Sequence, residues 1–422
     1  MNKTLQLVLC LCWNVMLYGQ DPEYARRVLN DLCSEQMAGR GYVKDGAVKA
    51  AEYIAAEYKK SGLLAFGTDY YQSIGYPVIT FPNEVSMKAD ELELIPGDEF
   101  IVGPGSPSLN GVFNTVYVDS GVIDNPVYFA AFQKSSFAMS VILIDIPATT
   151  QLKFPDRLQS IKKNQYKARA LIFMNQPKLT WGVATSWDPY PALFVLKGVL
   201  KNIPQKITLH IVPEIQSYNG NNVIGYLKGS KYPDSFVVFS AHYDHLGMMG
   251  PWAIFPGAND NASGVAMMLD LMHHFKRNPP AYSVCFMAFT GEEAGLFGSY
   301  YYTEHPLFSL SKISVLINLD LMGTGDKGMT VVNATLFPGD FQDLQLINFE
   351  NNYLPTVLSR GKAQNSDHYY FSEKGVKAFF FYLMGEYPAY HDVFDTAEIV
   401  TFSRYTGAFN LIRDYAASRM KY

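Results

Sequence analysis

The chain is short of cysteine, with four in 422 residues. Cys10 and Cys12 lie in an apolar N-terminal segment, which leaves Cys33 and Cys285 for the rest of the chain. Two cysteines build no disulfide framework, so the fold has to rest on its hydrophobic core. Cys285, inside the apolar run YSVCFMAF (282–289), reads as a small buried hydrophobe and not as a nucleophile. Basic charge is scarce too. A net charge of −5 and a pI near 5.9 exclude the basic stripe that a nucleic-acid surface needs. No apolar run reaches the roughly 20 residues that span a bilayer, so no integral membrane segment is expected in the mature chain. Low-complexity tracts and fixed-period repeats are missing as well, which sets repeat architectures aside. What remains is a globular composition, 48% hydrophobic and 17% charged. The length suits two or three domains, or one large domain carrying an insertion.

At the N-terminus a single Lys3 precedes an apolar run of roughly fourteen residues, broken by Gln6 and Asn14. This pattern predicts a signal peptide over residues 1–20, cleaved near Gly19 or Gln20, and hence export to the periplasm or the outside. Cys10 and Cys12 each follow a leucine, which argues against a lipoprotein anchor.

Residues 45–61 place Ala47, Ala50, Ala51, Ile54 and Ala55 on one helical face, and Gly62 follows as a stop. From 97 to 213, short β-rich runs alternate with Pro, Gly and Asn turns. After Asn221 apolar strands alternate with amphipathic helices: FVVFSAH (236–242), YSVCFMAF, ISVLINLD (313–320) and VKAFFFYL (376–383) are the strands. The expected fold is therefore α/β, a mostly parallel mixed sheet flanked by helices, with an inserted β-rich domain. The expected boundaries are 21–96 for the first part of the main domain, 97–213 for the insertion and 214–422 for the remainder.

Ligands of such sheets bind beyond the carboxyl ends of the strands, and there the polar residues gather. The first strand ends in SAHYDHLG, where His242 and Asp244, two apart on an extended segment, share a side. Asp260 stands in GANDNASG (257–264), just before a helix. The second strand runs into FTGEEAGLFGS (289–299), with Glu292 and Glu293 adjacent. Asp320 ends the third strand, and His391 stands in YPAYHDVFDT (387–396) after the fourth. The glutamate pair has a plain alternative: Thr290 could cap a helix whose positive end Glu292 and Glu293 would complement. Metal-binding residue types at successive strand ends of one layer point instead to a metal centre.

HYDH, GANDNASG, GEEAGLFGS, NLDLMG, SDHYYF (366–371) and YHDVFDT follow in the order found in the secreted di-zinc aminopeptidases, a family that also includes the glutamate carboxypeptidases. Over residues 25–95 and 215–420 the chain resembles that family, and MAGRGYVKDGAVKAAEYIAAEY (37–58) looks like its N-terminal helical region. Residues 97–213 resemble more faintly the protease-associated domain often inserted there. The resemblance implies two zinc ions per chain: His242 and Asp320 on one, Glu293 and His391 on the other, and Asp260 bridging both through a loop whose Asp260–Asn261 peptide is cis. It also implies that Asp244 orients His242, that Glu292 is the general base and that Tyr390 donates to an oxyanion. Asp395 would support His391. His245 and His368 fall within family motifs without being ligands, while His273 and His274 are expected to be solvated.

These features imply an exported zinc-dependent aminopeptidase acting on peptide substrates. Three alternatives stay open: a carboxypeptidase using Arg360 and Lys362 to hold a terminal carboxylate, a single-zinc enzyme like the glutaminyl cyclases, and a metal-free receptor-like relative. Many family aminopeptidases carry an arginine before the SDH motif, where this chain has Asn365. Nothing in the sequence indicates an oligomeric state.

Overall fold

The computed structural model describes residues 19–420; positions 1–18, which carry most of the expected signal peptide, lie outside the described residues. The larger unit is an eight-stranded sheet. In chain order its strands are β1 (Tyr71–Thr80), β2 (Glu214–Leu227), β3 (Tyr232–His242), β4 (Tyr282–Phe289), β5 (Ile313–Leu319), β6 (Gly328–Val332), β7 (Val357–Ser359) and β8 (Ala378–Met384). They lie in the order β1-β2-β4-β3-β5-β8-β6-β7. The four apolar runs read from the sequence form a continuous parallel block, β4-β3-β5-β8.

Alternation along each strand sends side chains to two buried faces. Val237, Phe239 and Ala241 of β3 pack under the helices Pro22–Leu32, Gly46–Ser61, Ser263–Arg277 and Tyr405–Ser418. Phe236 and Val238 face the other way, toward Tyr302 of Phe297–Glu304 and Phe371 of His368–Glu373. Helix Gly46–Ser61 ends where expected, with Gly62 in the left-handed region at φ 70°. Among the described residues no helix is long and apolar enough to cross a membrane.

The second unit is another eight-stranded sheet, ordered Leu92–Leu94, Val85–Ala89, Lys206–Ile211, Leu109–Asp119, Ser140–Asp145, Leu171–Gln176, Ala192–Leu196, Phe100–Val102. It takes in residues 85–94, ahead of the boundary at 97 drawn from texture, because Val85–Ala89 pairs antiparallel with Lys206–Ile211. It also carries helices. Ser120–Asp124, Pro126–Gln133 and Pro155–Lys162 help bury one face around Phe129, Phe132 and Ile161. The start signal of the second, Asn125 capping with Pro126 at the first helical position, stands in a stretch whose texture reads only as strand and turn. The opposite face, with Val102, Leu193 and Leu209 among its apolar side chains, packs onto Leu246, Met249 and Phe255 of the larger unit.

Candidate metal centre

The register of the parallel block decides what meets what. His242 closes β3 opposite Phe289, the last residue of β4, so the imidazole and the glutamate turn emerge at the same edge. Asp320 follows β5, and the loops carrying Asp260 and His391 fold over that edge. The carboxylate of Asp260 lies between the two imidazoles: Oδ1 is 3.3 Å from Nε2 of His242, and Oδ2 is 3.0 Å from Nε2 of His391. Asp320 Oδ1 lies 3.5 Å from His242 Nε2, and Glu293 Oε2 lies 3.3 Å from His391 Nε2. The five residues thus form two half-sites that share Asp260. The Asp260–Asn261 peptide is cis, as the resemblance implied.

Each imidazole is aimed by its other nitrogen, the usual arrangement around a metal ligand. His242 Nδ1 is 3.1 Å from the main-chain carbonyl of Asp244. This revises the role read for Asp244, whose carboxylate Oδ1 lies 4.0 Å from that nitrogen. The carboxylate instead accepts the main-chain N–H groups of Glu292 (3.1 Å) and Glu293 (3.3 Å), together with the hydroxyl of Tyr42 at 2.9 Å. Asp244 therefore shapes the glutamate turn with its side chain and aims His242 with its backbone. His391 Nδ1 lies 3.1 Å from the carbonyl of Trp181 in the second unit. Asp395, expected behind His391, accepts instead from the N–H groups of Asn259 (2.8 Å) and Asp260 (3.1 Å), because its loop closes on Asp260.

The capping explanation of the glutamates fails on geometry. The next helix begins at Phe297, and the Thr290 hydroxyl bonds to Tyr76 at 3.0 Å. Glu293 is held from both sides, with Oε1 2.7 Å from Nδ1 of His245 and Oε2 toward His391. Glu292 faces the cavity. His245 comes within reach of Asp260 and Glu293, but its Nδ1 is engaged with Glu293, which suits an orienting role.

The donor set fits divalent cations. Imidazole nitrogens and carboxylate oxygens converge within 4.8 Å of one another in three groups among the described residues, His242 with Asp260 and Asp320, His242 with Glu292 and Glu293, and His245 with Asp260 and Glu293, a chemistry suited to zinc. The acids outnumber the imidazoles in a buried setting that demands positive charge. Burial raises the Asp260 carboxyl, but hydrogen bonds to His242 and His391 outweigh it and hold the group well below its usual range. Burial pushes Glu292 well above the usual carboxylate range, with the charge of Glu293 adding to the shift. Burial likewise lifts Asp367, behind the site, to about 7.

A cavity of about 380 Å³ opens over this cluster, with Gly295, Leu296, Leu321, Gln364, Asn365 and Phe380 completing its walls. Tyr390 is 45% exposed at its mouth, its ring stacked on His391 at 4.1 Å. No lysine or arginine lines it among the described residues. Lys362 pairs with Glu373, and Arg360 is an exposed residue outside the cavity wall. The remaining histidines lie elsewhere. His368 is buried against Phe380. His273, expected in solvent, is half-buried on Tyr24 at 4.2 Å, and His274 packs beside Phe409.

Sequence reasoning missed three supports. Trp181 lies outside every motif and left no signal. Tyr42 and Arg40 sit in the MAGRGYV stretch, whose residues carry no assigned role in the sequence reading. Arg40 is fully buried at a positive φ and donates to the carbonyls of Tyr243, Pro256 and Gly257, binding the loops that carry the ligands.

Residues 222–416 match the model of peptidase family M28. Aminopeptidase YwaD of Bacillus subtilis (strain 168) is 31% identical over 208 residues, 45% of this chain and 43% of that protein. A probable zinc metalloprotease of Pyricularia oryzae is 39% identical over 112 residues, 26% of this chain and 22% of that protein. The chain thus spans less than half the length of these curated relatives. The fold is shared more widely. An aminopeptidase from Aneurinibacillus sp. strain AM-1 superposes over 95% of this chain and 94% of its own with a TM-score of 0.63 at 21% identity. BSAP, a zinc aminopeptidase from Bacillus subtilis, does so over 94% and 95% with a TM-score of 0.67, also at 21% identity.

Proposed function

We propose that the chain, whose residues 222–416 match the model of peptidase family M28, is a di-zinc aminopeptidase that removes N-terminal residues from peptides. The observation that carries this reading is a cavity with two carboxylate–imidazole half-sites and no cationic side chain in its wall. His242 and Asp320 would hold one zinc, His391 and Glu293 the other, and Asp260 both. When bound, such a pair supplies Lewis acidity, acidifying a water and polarising the scissile carbonyl. Glu292 takes the proton of the attacking water and hands it to the leaving amine. The phenol of Tyr390, at the mouth of the cavity, is available to donate to the developing oxyanion.

Four carboxylates against two dications leave no surplus positive charge, so a free α-ammonium is tolerated and a terminal carboxylate is not. The neutral Gln364 and Asn365 add none, and Lys362 is engaged elsewhere, which weighs against the carboxypeptidase alternative. The complete set of donors weighs against the single-zinc and metal-free ones. The apolar run behind Lys3 supports export as part of this reading, and the second sheet suits an inserted domain of the protease-associated kind.

One short peptide in three forms tests the proposal. With free ends it should be cleaved, N-acetylation should abolish cleavage, and C-amidation should leave the rate nearly unchanged. Ready cleavage of the acetylated form with the amidated one spared would replace this reading by the carboxypeptidase.

A further inference from the structure

His391 is the one proposed ligand whose orientation comes from the other unit. It sits at φ 54°, in the left-handed region that a non-glycine residue occupies only when its surroundings hold it there. Those surroundings are residues 178–181 of the inserted unit. Trp181 meets His391 twice: its N–H donates to the His391 carbonyl at 2.8 Å, and its carbonyl lies 3.1 Å from the ring Nδ1. The first contact fixes the backbone, and the second turns Nε2 toward Asp260 and Glu293. Lys178 reaches the same loop, donating to the Pro388 carbonyl at 2.8 Å and pairing with Asp392 at 3.0 Å. Asp392 in turn accepts from the N–H groups of Tyr390 and Phe394 on either side of it.

Trp181 is itself wedged between the two units. Its indole N–H donates to the Val102 carbonyl at 2.8 Å in the inserted sheet, while its ring stacks at 4.6 Å on Phe255, five residues before Asp260. The ring is buried, with 6% exposure.

We propose that Trp181 and Lys178 are positioning residues for the metal centre, so that the inserted unit sets the affinity of the half-site formed by His391 and Glu293 while the half-site of His242 and Asp320 is independent of it. The insertion is then a working part of the metal site and not only a wall or spacer. This inference rests on the two-metal reading above. It requires that one metal of the two respond to changes in a unit that contributes no ligand.

The test is zinc affinity of the full-length protein, measured by competition with a chromogenic chelator, with cobalt absorption reporting the ligand geometry. Trp181→Ala removes the wedge that places the carbonyl, and Trp181→Phe keeps a ring on Phe255. Trp181→Ala should weaken one of the two metals by about 10–100-fold, the range for lost partners of a ligating histidine, and change the cobalt spectrum. The other metal should bind as in the wild type, and Trp181→Phe should restore most of the loss. Lys178→Met, at a half-exposed position that does not threaten folding, should weaken the same metal in the same direction and Lys178→Arg should recover it. Two metals bound with wild-type affinity in both Trp181→Ala and Lys178→Met would overturn the inference while leaving the metal reading intact. Equal weakening of both metals would overturn it as well. A wild-type protein that takes up no metal would overturn the two-metal reading, and the inference with it.

Discussion

Both sheets contain a block of four adjacent parallel strands, and both end some of those strands in carboxylates. In the inserted sheet Asp119 turns onto the N–H of Val122 at 2.9 Å and caps a short helix. Asp145 accepts from the Tyr117 hydroxyl and from the Asn175 amide, each at 2.6 Å. In the larger sheet Asp260 and Glu293 meet at the imidazole of His391, and Asp320 meets that of His242 while accepting one bond from Ser366 at 2.8 Å. Asp320 thus stands at the end of a parallel strand, as Asp119 and Asp145 do in the inserted sheet. What separates the two sets is the imidazoles: Asp119 and Asp145 meet only neutral donors in the bonds described, whereas Asp260, Glu293 and Asp320 each face a histidine ring.

That contrast is open to direct attack. The largest effect is expected at Asp260, where Asp260→Ala should lower zinc content from about two per chain to well below one, as a shared ligand requires. If one zinc stayed bound with unchanged affinity, the bridging role would be wrong. A smaller effect concerns acid stability, since among the described residues only the larger unit buries a histidine under its site. Burial pushes His368 down to about 3. A depressed histidine pKa means that the folded state holds the neutral form. Its contribution to stability is complete above pH 6.5 and fades as pH falls toward 3, by roughly 4–5 kcal/mol in all. Chemical unfolding of metal-free protein between pH 7 and pH 4 should therefore show a steeper loss in the wild type than in His368→Phe; equal slopes would remove His368 as the cause. The smallest effect belongs to the insertion. Asp119→Ala should cost about 1 kcal/mol as a lost helix cap, with zinc content and kcat unchanged. A fall in zinc content in that variant would erase the distinction between the two sheets.

Much of this was legible because strand ends are local features. Four apolar runs, each followed by a donor residue, told which edge of the larger sheet would be chemical, and their parallel pairing brought His242, Asp260, Glu293, Asp320 and His391 together. The supports were less legible, because they depend on which main-chain groups happen to be near. A carbonyl carries no sequence signature, so neither Asp244 nor Trp181 could be read as the residue that aims an imidazole through its backbone. Asp395 reads in sequence as the partner of its nearer neighbour, His391, whereas the closing of its loop places it under Asp260. The domain boundary slipped from 85 to 97 for a related reason: Val85–Ala89 is a fair strand in either unit, and only its pairing with Lys206–Ile211 assigns it to the inserted sheet.

The central claim is that two adjacent glutamates leave one turn to do different work, Glu293 on the metal side and Glu292 on the proton. Zinc content and kcat measured on the same preparations of Glu292→Gln and Glu293→Gln address it without intermediaries. Glu292→Gln should keep the wild-type zinc content while kcat falls by on the order of 10²–10⁴, the range for a general base. Glu293→Gln should lose zinc from one half-site. An exchange of these phenotypes, with zinc lost from Glu292→Gln and retained in Glu293→Gln, would contradict the account.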